Sequence, residues 1–245
     1  MSNNFRQRLK SGKTLLGTMV TLPTAATAEI LADIGFDWLF LDAEHGSLEY
    51  SDIQGILQAV GDRVACVVRL PAAAEVPIKK VLDLGAAGII APKSIPWIRP
   101  KKWCAMHATR RRALAALASA GRTGFGMRFA EYLETANEQV AVLVQAGHIE
   151  AGRKIEDCPR RGDRWHHAWA YDPFSQTSAK KGQLDDPAVV DAIERIFQAC
   201  QSTNMPIGYF GVSADAVRPT AKGLQFDPGR VDTLHLGNAA QKFDE

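Results

Sequence analysis

FDWLFLDAEHGS, residues 36–47, decides how the chain is read. Trp38, Leu39, Phe40 and Leu41 form a near-continuous apolar run, the pattern of a strand covered on both faces, as in a parallel sheet. Asp42, Glu44 and His45 follow within four residues. In a barrel of parallel strands, residues just past a strand's C-terminal end line the active-site mouth. Two carboxylates beside one imidazole can hold a divalent cation, or raise the basicity of the histidine so that it takes a proton near neutral pH. A polar turn leading into the next helix is the plainer alternative.

Upstream of this stretch, Asn4–Leu9 reads as a short helix and Thr14–Leu22 as a first strand. Pro23 and Thr24 start a helix over Ala25–Asp33, which Gly35 closes. Downstream, Ser51 is placed to cap a helix running to Val60, Val64–Leu70 is a buried strand ending near Arg69, Val76–Leu84 is a helix closed by Gly85, and Gly88–Ala91 is a short strand. This β-α alternation with short connections argues for parallel strands and right-handed crossovers. Open doubly wound sheets and closed eight-fold barrels both fit. No GxGxxG follows any strand, which weighs against a dinucleotide-binding half. The pattern returns in a helix over Ala130–Asn137, strands at Val140–Gln145 and Pro206–Val212, and helices over Pro187–Cys200 and Asp232–Lys242.

A chain of 245 residues suits one large α/β domain or two small ones, and its net charge of +2 gives no hint of a charged partner. The N-terminal MSNNFRQRLKSGK lacks the apolar core of a signal peptide, and no apolar run is long enough to span a membrane. The four cysteines show no CxxC pairing. A cytoplasmic chain with free thiols is the simplest expectation.

Several blocks in order, FDWLFLDAEHG, VVRLP, KKVLDLGAAGIIAPK, YLETANEQVAVLVQ and GRVDTLHLGNAA, resemble the class II, metal-dependent pyruvate aldolases of the HpcH/HpaI aldolase family. The likeness runs over about 14–93, 124–151, 181–219 and 231–242. It implies a single (β/α)8 TIM barrel over residues 1–245, assembled as a homo-oligomer, commonly a hexamer with exchanged C-terminal helices. It implies cleavage of a 2-oxo hydroxy acid of the 2-keto-3-deoxy sugar acid type to pyruvate and an aldehyde through a metal-bound enolate. Under the resemblance, His45 matches the base, acting through a metal-bound water, and Asp83 the carboxylate that raises its basicity. Arg69 matches the cation that stabilises the enolate oxygen. Gln145, Tyr171 and Asp42 become substrate contacts, and Asp172 and Glu44 metal ligands. Hard oxygen ligands suit Mg²⁺ or Mn²⁺, with Co²⁺ a further candidate. No nucleic-acid or membrane partner is implied.

The chain departs from the family pattern at two places. The family reads Gln-Ile-Glu where this chain has Gln145-Ala146-Gly147, so a ligand carboxylate is missing, and Asp172 sits in an altered turn. An inactive or misfolded family product lacking that glutamate is therefore the alternative function to be weighed. His148 could stand in for the missing ligand. His166 and His167 are poor candidates, because neighbours on a strand point to opposite faces.

Three stretches, about 94–123, 152–180 and 220–230, depart altogether. They hold Trp97, Trp103, Trp165 and Trp169, and residues 93–123 carry eight Lys or Arg and no Asp or Glu. One reading is a basic, aromatic nucleic-acid surface. The other is out-of-frame translation. Asp163–Trp169, written as GAT CGA TGG CAT CAT GCT TGG and started one base later, becomes Ile-Asp-Gly-Ile-Met-Leu, a buried strand. Similar shifts turn Pro96–Ala108 into an amphipathic helix and Phe226–Gly229 into a strand-like run. The nucleotide sequence of the gene tests this. As written, the chain is expected to lack a clear sixth strand, a clear eighth strand and the helix after the fourth, leaving the barrel imperfect at strands 6 and 8.

Overall fold

The structure, a computed structural model, describes residues 4–92, 127, 134–135, 138–145, 167–171, 187–202, 204–209, 224–227 and 231–242. Its strands are β1 (Leu15–Val20), β2 (Trp38–Asp42), β3 (Ala65–Arg69), β4 (Gly88–Ala91), β5 (Ala141–Gln145), β6 (His167–Tyr171), β7 (Ile207–Tyr209) and β8 (Leu224–Asp227). Each pairs in parallel with the next, and β8 pairs with β1, so the sheet closes into a barrel. The helices are α1 (Phe5–Lys10), α2 (Ala25–Ile34), α3 (Tyr50–Val60), α4 (Glu75–Leu84), α5 (Pro187–Ser202) and α6 (Asp232–Gln241).

Every residue of β2 and β3 is buried, as the apolar runs require. The two faces serve different cores. Leu15, Met19, Trp38, Phe40, Ala65, Val67, Ile90, Ala141 and Leu143 fill the barrel interior, and Phe5 and Leu9 of α1 join them. Leu39, Leu41, Cys66, Val68, Ile89 and Val142 face outward, against Leu31 of α2, Ile53 and Ile56 of α3, and Ile78 and Val81 of α4. This double coverage explains why these strands read as continuous hydrophobic runs rather than alternating ones. Complete burial pushes the Cys66 thiol up to about 12, since no charged group nearby supports a thiolate.

Local signals behave as their chemistry demands. Gly35 and Gly85 end α2 and α4 with φ of 98° and 112°, a left-handed conformation that side chains rarely tolerate. The start of α3 differs from expectation. Glu49, not Ser51, is the N-cap, and it forms a capping box with Asp52. Asn4 caps α1 by accepting a hydrogen bond from the Gln7 N–H at 3.2 Å. Arg8 then ion-pairs with Asp37, whose other oxygen accepts the Leu16 N–H at 2.8 Å, fastening α1 to the starts of β1 and β2.

Gly17 sits opposite Trp38 in the register, and a Cβ there would lie 2.4 Å from the indole nitrogen. The indole therefore occupies space that any larger residue would claim. Gly17→Ala is expected to cost about 1–3 kcal/mol, the usual range for overpacking, read as a lower urea midpoint at unchanged slope.

The expected absence of a sixth and an eighth strand is corrected. His167–Tyr171 and Leu224–Asp227 close the ring, β6 between β5 and β7, and β8 between β7 and β1. Residues with β propensity complete a ladder once neighbours on both sides offer partners, even where the segment's own pattern is weak. One irregularity remains, a register shift between Ile207 and Gly208 where β7 meets β8. The segment after β4, where a helix was expected to fail, and the predicted helix over Ala130–Asn137 lie wholly or mostly outside the described residues. No helix among the described residues is long and apolar enough to cross a membrane.

Candidate active site

Asp42 and Arg69 are register partners at the C-terminal ends of β2 and β3. Their side chains share the parity of the interior residues Phe40 and Val67, so they form the top layer of the filled barrel. Arg69 Nε donates to Asp42 Oδ1 at 2.8 Å and Nη2 to Oδ2 at 2.6 Å, a two-pronged pair. Asp42 is 2% exposed and Arg69 5%. The Phe40 ring lies below the guanidinium, 5.2 Å from centroid to Cζ.

Burial opposes ionisation of Asp42, but the hydrogen bonds and charge of Arg69 outweigh it, helped by the Glu44 and His45 N–H groups. The carboxyl is held below its ordinary value. An unfolded aspartate takes up its proton near pH 4, earlier on acidification than this native one. The pair's contribution is therefore present in full above about pH 4 and is lost as pH falls through the lower native value. Urea midpoints between pH 5 and pH 2.5 should fall more steeply for the native chain than for an Asp42→Leu/Arg69→Met variant.

The chain leaves β2 in a tight turn that carries the remaining groups. Asp42 Oδ1 accepts the N–H of Glu44 at 3.0 Å and of His45 at 3.3 Å. Gly46 packs so closely that a Cβ would lie 2.7 Å from the Asp42 carbonyl oxygen. The Glu44 carboxylate turns inward, with Oε2 3.3 Å from Arg69 Nε and 3.7 Å from His45 Nε2. That oxygen is buried and accepts no hydrogen bond among the described residues. His45 itself is 64% exposed. The formal sum of Asp42, Glu44 and Arg69 is one negative charge at the barrel mouth.

Gln145 ends β5 two residues beyond Leu143, and Leu143 is level with Arg69 through Ile90. It therefore takes the next layer up, half-buried. Tyr171 ends β6, one register step beyond the Ala170 that pairs with Gln145. Asp172, Gly147 and His148 lie outside the described residues.

Asp83 does not join this group within one chain. It lies in the last turn of α4, five residues before β4 begins, whereas His45 lies three residues past the end of β2. In a parallel barrel these are opposite ends, separated by a helix about 15 Å long. Burial raises the Asp83 carboxyl above its ordinary value, against the lowering charge of Lys79. The carboxylate beside His45 is Glu44. Asp42 is corrected as well, because both its oxygens are engaged by protein groups and water is shut out, so it is not placed to touch a substrate.

Asp232 was missed in the sequence. It is 3% exposed and accepts the Thr21 and Leu22 N–H groups, each at 2.9 Å, and the Thr21 hydroxyl at 2.7 Å. It ties the start of α6 to the end of β1. An aspartate opening a helix was the available signal, but its tertiary partner is more than 200 residues away.

Comparison with known proteins decides the family. The family model described as HpcH/HpaI aldolase/citrate lyase matches residues 16–96. A 4-hydroxy-2-oxo-heptane-1,7-dioate aldolase of Escherichia coli is 31% identical over 252 residues, covering 98% of this chain and 93% of that protein. The chain belongs to the HpcH/HpaI aldolase/citrate lyase family. A hydroxypyruvate/pyruvate aldolase of Paraburkholderia phytofirmans is 28% identical over 98% of this chain and 96% of its own length. The crystal structure of an HpcH/HpaI aldolase/citrate lyase family protein from Burkholderia cenocepacia superposes with a TM-score of 0.84 at 26% identity, covering 98% of this chain and 97% of that one. As an HpcH/HpaI member the chain is a carbon–carbon lyase of the aldolase type, on the TIM-barrel fold expected. This supports the aldolase reading over a basic nucleic-acid-binding barrel. The class II aldolases of this family depend on a divalent metal.

Among the described residues, no three His, Cys, Asp or Glu side chains gather to hold an ion. The donor chemistry nevertheless suits a hard divalent cation. Among the described residues Glu44 Oε2 is a buried carboxylate oxygen that accepts no hydrogen bond, beside a trio, Asp42, Glu44 and Arg69, that sums to one negative charge.

Proposed function

We propose that this HpcH/HpaI member cleaves a 4-hydroxy-2-oxo acid of the 2-keto-3-deoxy sugar acid type to pyruvate and an aldehyde, at the mouth above Asp42 and Arg69. The observation that carries the reading is the buried guanidinium of Arg69 held at the strand ends beside the Glu44–His45 turn. His45 Nε2 takes the proton of the substrate's C4 hydroxyl. The C3–C4 bond breaks, the aldehyde leaves, and the electron pair passes through C2–C3 onto the C2 oxygen. Arg69, itself buried, offers positive charge where that oxygen gains it. C3 then takes a proton to give pyruvate. Gln145, at the end of β5, orients the 2-oxo acid; Tyr171, one step beyond the Ala170 that pairs with Gln145, has the opposite parity on β6 and is left out of this contact. Glu44 and Asp172 hold a Mg²⁺, Mn²⁺ or Co²⁺ ion, which when bound supplies Lewis acidity.

Asp83 is too far from the His45 of its own chain, so a role in raising histidine basicity requires the Asp83 of a second copy. The exposed Leu234 and Leu236 of α6 favour such association, and a homo-hexamer with exchanged C-terminal helices fits them. Light scattering on the purified protein reads the copy number.

Pyruvate release from a 4-hydroxy-2-oxo acid, coupled to NADH oxidation by lactate dehydrogenase, tests the reaction. Release should need Mn²⁺ or Mg²⁺ and stop with EDTA, and His45→Asn should lower kcat by about 10²–10⁴-fold, the usual worth of a positioned acid–base group. No release with Mn²⁺ present overturns the proposal.

A further inference from the structure

Asp42 engages both groups that the reaction needs. Its Oδ1 accepts Arg69 Nε–H at 2.8 Å, the Glu44 N–H at 3.0 Å and the His45 N–H at 3.3 Å, while Oδ2 accepts Arg69 Nη2–H at 2.6 Å. The first set fixes the turn that carries His45. The two bonds to Arg69 fix the plane of its guanidinium, which a single bond would leave free to swing. Phe40 supports that plane from below, and Gly46 lets the turn fold tightly onto Asp42.

We propose that Asp42 is a positioning residue: it orients the Arg69 fork and the His45 turn together, and acts on the reaction only through them, without touching substrate. The inference rests on the roles given to His45 and Arg69 above. A guanidinium displaced by about 1 Å meets the developing oxyanion poorly, and misplacements of that size cost on the order of 10²-fold in rate. Substrate binding is less affected, because the charge on the oxygen is largest in the transition state.

Asp42→Asn keeps the shape of the side chain but sets an amide donor against the Arg69 Nη2 donor. With pyruvate as the probe and Mn²⁺ present, its rate of C3 proton exchange in D₂O should fall by about 10²-fold while KM changes little. Asp42→Glu restores the charge but moves it by one methylene, and should recover only part of the rate. A rise in KM with kcat unchanged would make Asp42 a substrate contact and overturn the proposal, as would native-like exchange in either variant.

A second measurement needs no turnover. Arginine-selective ¹⁵N spectra of the native protein should show one Nε–H resonance protected from solvent exchange, assigned by its disappearance in Arg69→Lys. It should lose protection in Asp42→Leu, which removes both acceptor oxygens, and keep it in Asp42→Glu. If the native protein shows no protected Nε–H at Arg69, the clamp does not exist in solution and the inference fails, whether or not the protein releases pyruvate. If protection is present but pyruvate is never released, the proposed function fails instead. Should Asp42→Asn not fold, the native spectrum and Asp42→Glu still decide the matter.

Discussion

Arg69→Ala should lose about 3–5 kcal/mol of stability, because it strands the Asp42 carboxylate in a site that excludes water. Asp42 is 2% exposed, and with Arg69 removed its Oδ2 loses the Nη2–H donor at 2.6 Å. A domain of this kind has about 5–15 kcal/mol in total, so the single variant should lose a large share of its stability. Asp42→Leu/Arg69→Met, which removes both charges and fills their volume, should recover most of the loss, since a buried pair often does no better than apolar residues of similar size. Urea unfolding of the native protein, Arg69→Ala and the double variant checks this. A double variant as unstable as Arg69→Ala would mean that the cavity, rather than the stranded charge, sets the loss. The same double variant should have no aldolase activity, which separates what the pair does for folding from what Arg69 does for the reaction.

Gly147→Glu is expected to raise affinity for Mn²⁺ by more than tenfold. The family resemblance places a ligand glutamate at this position, and the chain carries glycine instead. A missing anionic ligand removes both a coordination bond and a charge, and even the loss of an outer partner of a metal ligand costs about 10–100-fold in affinity. Titration of the metal-free protein with Mn²⁺, followed by the relaxation of water protons, measures the change without any turnover. Pyruvate release should then saturate at lower metal concentration in Gly147→Glu than in the native chain. Equal affinities would mean that another group, such as His148, already fills that place.

The parts of the fold that could be read from sequence are those set by short-range chemistry. FDWLFLD is buried on both faces, so its apolar run announces a central strand directly. Gly35 and Gly85 end their helices because the backbone there needs a positive φ. β6 and β8 were not readable, since His167–Tyr171 and Leu224–Asp227 owe their strand character to the neighbours that pair with them. The site divides in the same way. Asp42, Glu44 and His45 are close in sequence and were found together, and Arg69 was found at its strand end. The bonding of Asp42 to Arg69 depends on the register between β2 and β3 across 27 residues, which no local pattern carries. Asp83 was misplaced for a related reason. Spacing along the chain reveals a helix, but the side of the barrel on which that helix ends follows only from the direction of the strands.

Cys66 sits beneath the helices on the outer face of β3, with its thiol pushed up to about 12. A thiol in that state is almost never a thiolate at neutral pH and cannot be reached by an alkylating reagent while the helices stay seated over it. Modification of this one side chain, followed by peptide mass spectrometry, therefore acts as a clock for how often the covering helices lift from the outer face of β3.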